Sequence, residues 1–87
     1  MKPKRSYVFV ARCSDGKLFT GITNHPEAAV QELNTGHYAR QARIQLPLRL
    51  AYSEEYMNDN DAASRAAAIK RMSKTQRERL LAGADLA

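Results

Sequence analysis

The sequence predicts an α+β domain, a three-stranded antiparallel sheet flanked by helices in the order β-β-α-β-α-α. Three observations carry that prediction. Two short apolar runs, Tyr7–Arg12 and Lys17–Thr20, flank Asp15-Gly16, a dipeptide that favours hairpins because Gly accepts the positive φ of tight turns. A further alternating run, Pro47–Ser53, supplies one more strand. Between and after these lie three stretches with helix-start residues at one end and helix formers behind them.

Each element has its own reason. In the first strand Val8 and Val10 alternate with Phe9 and Ala11, which predicts one face packed inward and one turned outward. The second strand leaves through Phe19-Thr20-Gly21-Ile22-Thr23, with Gly21 marking a place where backbone or ligand comes close. Asn24 reads as the N-cap of the first helix, with Pro26 in its tolerant first turn and Glu27 completing a capping box. That helix should end near Asn34-Thr35-Gly36, with Gly36 just past its end. His37–Gln45 is polar and basic, and Arg40 and Arg43 are spaced to share a helical face. In the third strand Leu48, Leu50 and Tyr52 alternate with Arg49 and Ala51, one buried face against one exposed, and Pro47 can stand only at its start. Asn58-Asp59-Asn60-Asp61 offers N-caps for an alanine-rich helix over Ala62–Met72. Ser73-Lys74-Thr75-Gln76 is a capping box opening a last helix that Gly83 closes.

The 87 residues suffice for one domain, with a core over about residues 6–82 behind a loose basic leader, Met1–Arg5. No run of about 18 apolar residues exists, so no membrane span is expected, and nothing resembles a signal peptide. The single cysteine, Cys13, suits a reducing cytoplasm and reads as a small apolar filler. A nucleophilic role for it would need a partner base. Cys13, His25 and His37 show none of the spacings of zinc sites, and no phosphate-loop or dinucleotide fingerprint is present. Glu54-Glu55 and Asp59/Asp61 fall at a strand exit and a helix start, where solvation and the helix dipole explain them. The net charge of +5 favours a polyanionic partner such as nucleic acid.

Tyr7-Val8-Phe9, followed by Cys13-Ser14-Asp15-Gly16-Lys17-Leu18-Phe19-Thr20-Gly21-Ile22-Thr23, resembles the small single-domain bacterial branch (UPF0213-like) of the GIY-YIG nuclease superfamily. The likeness continues through Asn34-Thr35-Gly36, Pro47–Glu54 and Ala68–Ser73, covering about Tyr7 to Leu81. The resemblance implies a three-stranded antiparallel sheet with surrounding helices, in agreement with the elements read above. It also implies hydrolysis of nucleic-acid phosphodiesters with one divalent metal, Mg²⁺ or Mn²⁺. Two tyrosines, an arginine on the first helix and a metal-binding glutamate on a later one would carry that chemistry. A phenol takes a proton from water, the guanidinium steadies phosphate charge, and the carboxylate anchors the metal.

Carried onto this chain, the two tyrosine positions fall on Phe9 and Phe19, the arginine on Ala29 with Ala28 beside it, and the glutamate on Ala66. A histidine common one turn after the arginine falls on Leu33. Each replacement removes the functional group, so the resemblance implies a degenerate member with no intact catalytic residue, no metal ligand at position 66 and no cofactor. Phe keeps the ring packing, and Ala favours helix.

Three functions stay open. The first is an inactive domain that binds nucleic acid or regulates something that does, through phosphate contacts from Arg12, Lys17, Arg40, Arg43, Arg49, Arg65, Lys70 and Arg71, with Phe9 and Phe19 as stacking faces. The second is a protein-interaction module whose former active-site groove, lined by Phe9, Phe19, Ala28, Ala29, Leu33 and Ala66, holds a partner chain. The third is a nuclease with a relocated site, using Tyr7 as the phenol and Glu27 or Glu32 toward a metal.

Overall fold

A computed structural model of the chain describes residues 5–37 and 44–83. Strands β1 (Ser6–Arg12), β2 (Leu18–Thr23) and β3 (Arg49–Tyr56) form one antiparallel sheet in the order β2-β1-β3. Helix α1 (Pro26–Asn34) follows β2, and α2 (Asp59–Arg71) and α3 (Lys74–Leu81) follow β3. The element order is the expected one. The leader segment 1–4 and the Arg40 and Arg43 positions lie outside the described residues.

The β1–β2 hairpin closes where the Cys13 N–H donates to the Lys17 carbonyl at 2.8 Å, leaving a three-residue loop. Gly16 takes φ +88°, the left-handed conformation that such a loop needs at its last residue. The Asp15 carboxylate accepts from the Lys17 N–H and stiffens the turn. β2 runs on through Gly21 to Thr23, three residues past the expected strand end, because Gly21 pairs in register with Phe9.

The expectation of one buried and one outward face on β1 is corrected: both faces are covered. β1 lies between two strands, with helices on either side of the sheet. Val8 and Val10 pack with Ala62, Ala66 and Ile69 of α2 and Leu80 of α3. Phe9, Ala11 and Cys13 pack with Val30 of α1 and Leu48. A central strand in such a fold loses its polar face, as its near-continuous apolar run already shows. Full burial of Val8, Val10 and Ile69 contributes roughly 1.5–3 kcal/mol for each side chain.

β3 differs from expectation in a way that sets the two faces. Val10 stands opposite Tyr52, but Ala11 stands opposite Leu50, so Ala51 is the extra residue of a β-bulge. A strict alternation would put Leu48, Leu50 and Tyr52 on one face. The bulge instead leaves Leu48 and Leu50 on the α1 face and sends Tyr52, with Tyr56, to the α2 face. β3 also extends to Tyr56, so Glu54 and Glu55 lie within it rather than at its exit.

The helix ends follow the sequence in part. His25, not Asn24, is the N-cap of α1, with Pro26 at its first position. The Asn24 side chain instead donates to the Arg5 carbonyl at 2.8 Å. At the other end Gly36 has φ +86°, as expected for the residue beyond a C-cap. Asn34 clasps β3's approach: its side chain donates to the Leu48 carbonyl and accepts from the Leu48 N–H, at 3.0 and 2.6 Å. Asn58 caps α2 through the Asp61 N–H, and Ser73 and Gln76 form the reciprocal capping box of α3.

Candidate functional site

The α1 face of the hairpin carries a groove of about 280 Å³ lined by Phe9, Phe19, Gly21, Ile22, Thr23, Ala29, Glu32 and Leu33. Gly21 makes it. A Cβ there would lie 3.0 and 3.1 Å from two ring atoms of Phe9 and 3.4 Å from one of Phe19, tight enough that the Phe9 ring would have to give by a few tenths of an ångström. The two rings lie 6.0 Å apart between centroids at 42°, a tilted aromatic contact. The walls are rings and methyls, with one carboxylate, Glu32, and one hydroxyl, Thr23, at the rim. Such a lining carries no guanidinium to hold a phosphate and no phenol to move a proton.

Phe9, Phe19, Ala29 and Leu33 therefore converge, and two other positions do not. Ala66 is buried on the opposite face of the sheet with Val8, Val10 and Ile69. Ala28 points into a neighbouring, more polar groove with Tyr7, His25, Pro26, Glu27, Leu50 and Ser53. Tyr7 and Glu27, the residues suggested for a relocated site, do share that second groove, whereas Glu32 lines the first. The Tyr7 hydroxyl donates to Glu55 at 2.8 Å, and that bond pushes the phenol up, away from the ionised form a base would need.

The donor set does not suit a divalent metal. Ala66, where the resemblance would put a metal-binding glutamate, is a buried methyl on the other face, and Glu32 is the single carboxylate lining the aromatic groove among the described residues. Among the described residues no three His, Cys, Asp or Glu side chains gather as a ligand group. Hard cations such as Mg²⁺ take oxygen ligands, usually including one or two carboxylates beside waters and substrate phosphates.

The candidate cations divide into held and free. Arg12 is bound by Glu78 through both carboxylate oxygens, at 2.6 and 2.9 Å. Arg65 is bound by Glu54 at 2.9 and 3.0 Å. Lys70 and Arg71 are exposed in the last turn of α2, where they complement its dipole, and Arg49 is exposed at the start of β3. Lys17 lines a recess with Leu18, Lys74 and Arg77.

Glu54 was not expected to be structural. It accepts from Tyr52, from Tyr56 at 2.6 Å and from Arg65 at two atoms, which ties β3 to α2. Burial pushes its carboxyl up, but Arg65 and the two phenols outweigh that and hold it below the usual carboxylate range. Burial and the bond to Glu54 push the Tyr52 phenol up to about 12. Lys74 and Arg77 were likewise not singled out. Their three-residue spacing on one helix, which sets both on one side, was the available signal. Cys13 is buried in the α1-side core, as a filler would be, and burial pushes its thiol up.

The model of the GIY-YIG catalytic domain matches residues 5–79, and the chain belongs to the GIY-YIG family. Among its relatives are UPF0213 proteins. One from Clostridium perfringens is 32% identical over 81 residues, covering 93% of this chain and 87% of the relative. One from Staphylococcus aureus is 32% identical over 75 residues, covering 86% and 92%. The solution NMR structure of the UPF0213 protein BH0048 from Bacillus halodurans aligns with a TM-score of 0.59. It covers 90% of this chain and 83% of that one at 24% identity, and so speaks for the fold alone. No helix among the described residues is long and apolar enough to cross a membrane.

Proposed function

We propose that this GIY-YIG domain does not cleave phosphodiesters and binds nucleic acid through its phosphates. One observation carries the loss of cleavage: the groove under the hairpin presents Phe9, Phe19 and Ala29 where the chemistry needs two phenols and a guanidinium. The position that the resemblance gives to a metal-binding carboxylate holds Ala66, a buried methyl on the opposite face of the sheet that supplies no ligand. The binding half draws on the net charge of +5 and on cations that no carboxylate holds among the described residues, among them Lys17, Arg49, Lys70, Arg71, Lys74 and Arg77. Phosphate contacts of this kind position a protein on nucleic acid without reading its bases.

The test is fluorescence anisotropy with labelled single-stranded and duplex DNA over a range of salt concentrations. Binding should be indifferent to sequence, and the logarithm of affinity should fall linearly with the logarithm of salt, by roughly 0.7–0.9 per phosphate contacted. Binding that ignores salt, or no binding at low salt, overturns the reading.

A second reading, a partner polypeptide in the aromatic groove, is favoured by the groove's apolar walls and by Ile22, which is 45% exposed at its rim. One stoichiometric protein recovered in a pull-down, unaffected by nuclease and lost on Ile22→Glu, would support this reading over the first.

A further inference from the structure

The recess between the β1–β2 hairpin and α3 lies at a distance from the aromatic groove, on the side of the sheet that α2 and α3 cover. Its walls are Lys17 and Leu18 from the start of β2 and Lys74 and Arg77 from α3. No acid lines it. Glu78 lies within electrostatic reach of Lys74 and Arg77, and both its oxygens are bonded to Arg12. Three positive charges thus face a recess of about 170 Å³.

Arg77 adds an independent sign. Its Nε is shut off from solvent and has no hydrogen-bond partner among the described residues. A buried donor without an acceptor costs about 1–3 kcal/mol, more for a charged group, so folding alone does not explain its place. An anion entering the recess would offset the mutual repulsion of the three cations. Guanidinium donors match the oxygens of phosphate in spacing and plane, and two ammonium groups suit its remaining charge.

We infer that Lys17, Lys74 and Arg77 form a phosphate-binding recess, and that a backbone phosphate of bound nucleic acid occupies it. The inference rests on the nucleic-acid reading for the source of the phosphate, but not for the recess itself. It also moves the binding surface from the groove of the family's chemistry to the hairpin's turn end and α3. The Arg12–Glu78 pair stands beside it and holds the Glu78 carboxylate in hydrogen bonds to Arg12.

The experiment has two arms on the intact chain. In the first, DNA affinity and its salt dependence are measured for wild type, for Arg77→Gln, for Lys17→Gln/Lys74→Gln and for the control pair Lys70→Gln/Arg71→Gln. Both recess variants should weaken binding, the double one by about tenfold, and it should lower the salt slope by about two. The control should lose less at equal charge. The two lysines are exposed, so the double variant keeps the test sound if Arg77→Gln fails to fold. In the second arm, inorganic phosphate is titrated while the Arg77 Nε–H resonance is followed by NMR. Saturable movement in wild type, absent from Lys17→Gln/Lys74→Gln, supports the recess. If phosphate moves that resonance but DNA does not bind, the recess stands, free phosphate is its ligand, and the nucleic-acid reading fails. If DNA binds equally well to the recess variants and the control, the nucleic-acid reading stands and the recess is overturned. If neither ligand binds, both fall.

Discussion

Gly21 shows how tightly single positions determine the groove. With Phe9 ring atoms 3.0 and 3.1 Å from where a Cβ would stand, Gly21→Ala forces the ring to move inside a packed cluster. A loss of about 1–3 kcal/mol is expected, the usual cost of overpacking. It should appear as a lower urea midpoint at unchanged slope. The same residues bear on catalysis. Phe9→Tyr/Phe19→Tyr returns two phenols but neither guanidinium nor carboxylate, so that variant should remain without DNA cleavage in a gel assay with Mg²⁺ or Mn²⁺. The residue identities at these positions were plain in the sequence. The side of the sheet on which Ala66 falls was not taken from it, although Ala62, Ala66 and Ile69 lie at the four- and three-residue steps of a buried helical stripe.

At the scale of elements, α2 is held to β3 by Glu54 and its donors. Glu54→Gln keeps the shape and removes the charge, and should destabilise the fold by about 1–3 kcal/mol at neutral pH. The pH dependence follows from the signs. Glu54 titrates below its unfolded range in the folded chain, so its contribution is present above about pH 4.5 and is lost as pH falls through the folded value. Tyr52 titrates above its unfolded range, so its contribution is present below about pH 10 and is lost as pH rises toward about 12. Urea midpoints across pH should therefore fall at both ends, and Glu54→Gln should flatten the acid limb. A second clasp, Asn34 on the Leu48 backbone, predicts that Asn34→Ala costs about 1–3 kcal/mol by stranding two backbone groups. Neither clasp was legible beforehand. The bulge at Ala51 decides which side chains of β3 meet α2, and one extra residue in a strand leaves no mark in an apolar alternation. The hairpin turn, by contrast, was legible in Asp15-Gly16, and the α3 cap in Ser73 and Gln76, because those signals are local.

Over the whole molecule, β1 separates two surfaces of different chemistry. On the α1 side lies an apolar aromatic groove, and on the side of α2 and α3 lies a cationic recess. The order of elements and the α+β class could be read from the chain because each strand and helix carries its own start or stop residues. The burial of both faces of β1 depends on its central place in the sheet, which only long-range pairing determines. The proposed loss of activity belongs to this scale, since a nuclease site needs groups from the hairpin, α1 and a later helix together. Its most direct test is incubation of the purified protein with branched, single-stranded and duplex DNA in Mg²⁺ or Mn²⁺, against a mock purification. The expected result is no product above the mock at any protein concentration. Dose-dependent cleavage that EDTA abolishes and the mock lacks would contradict it.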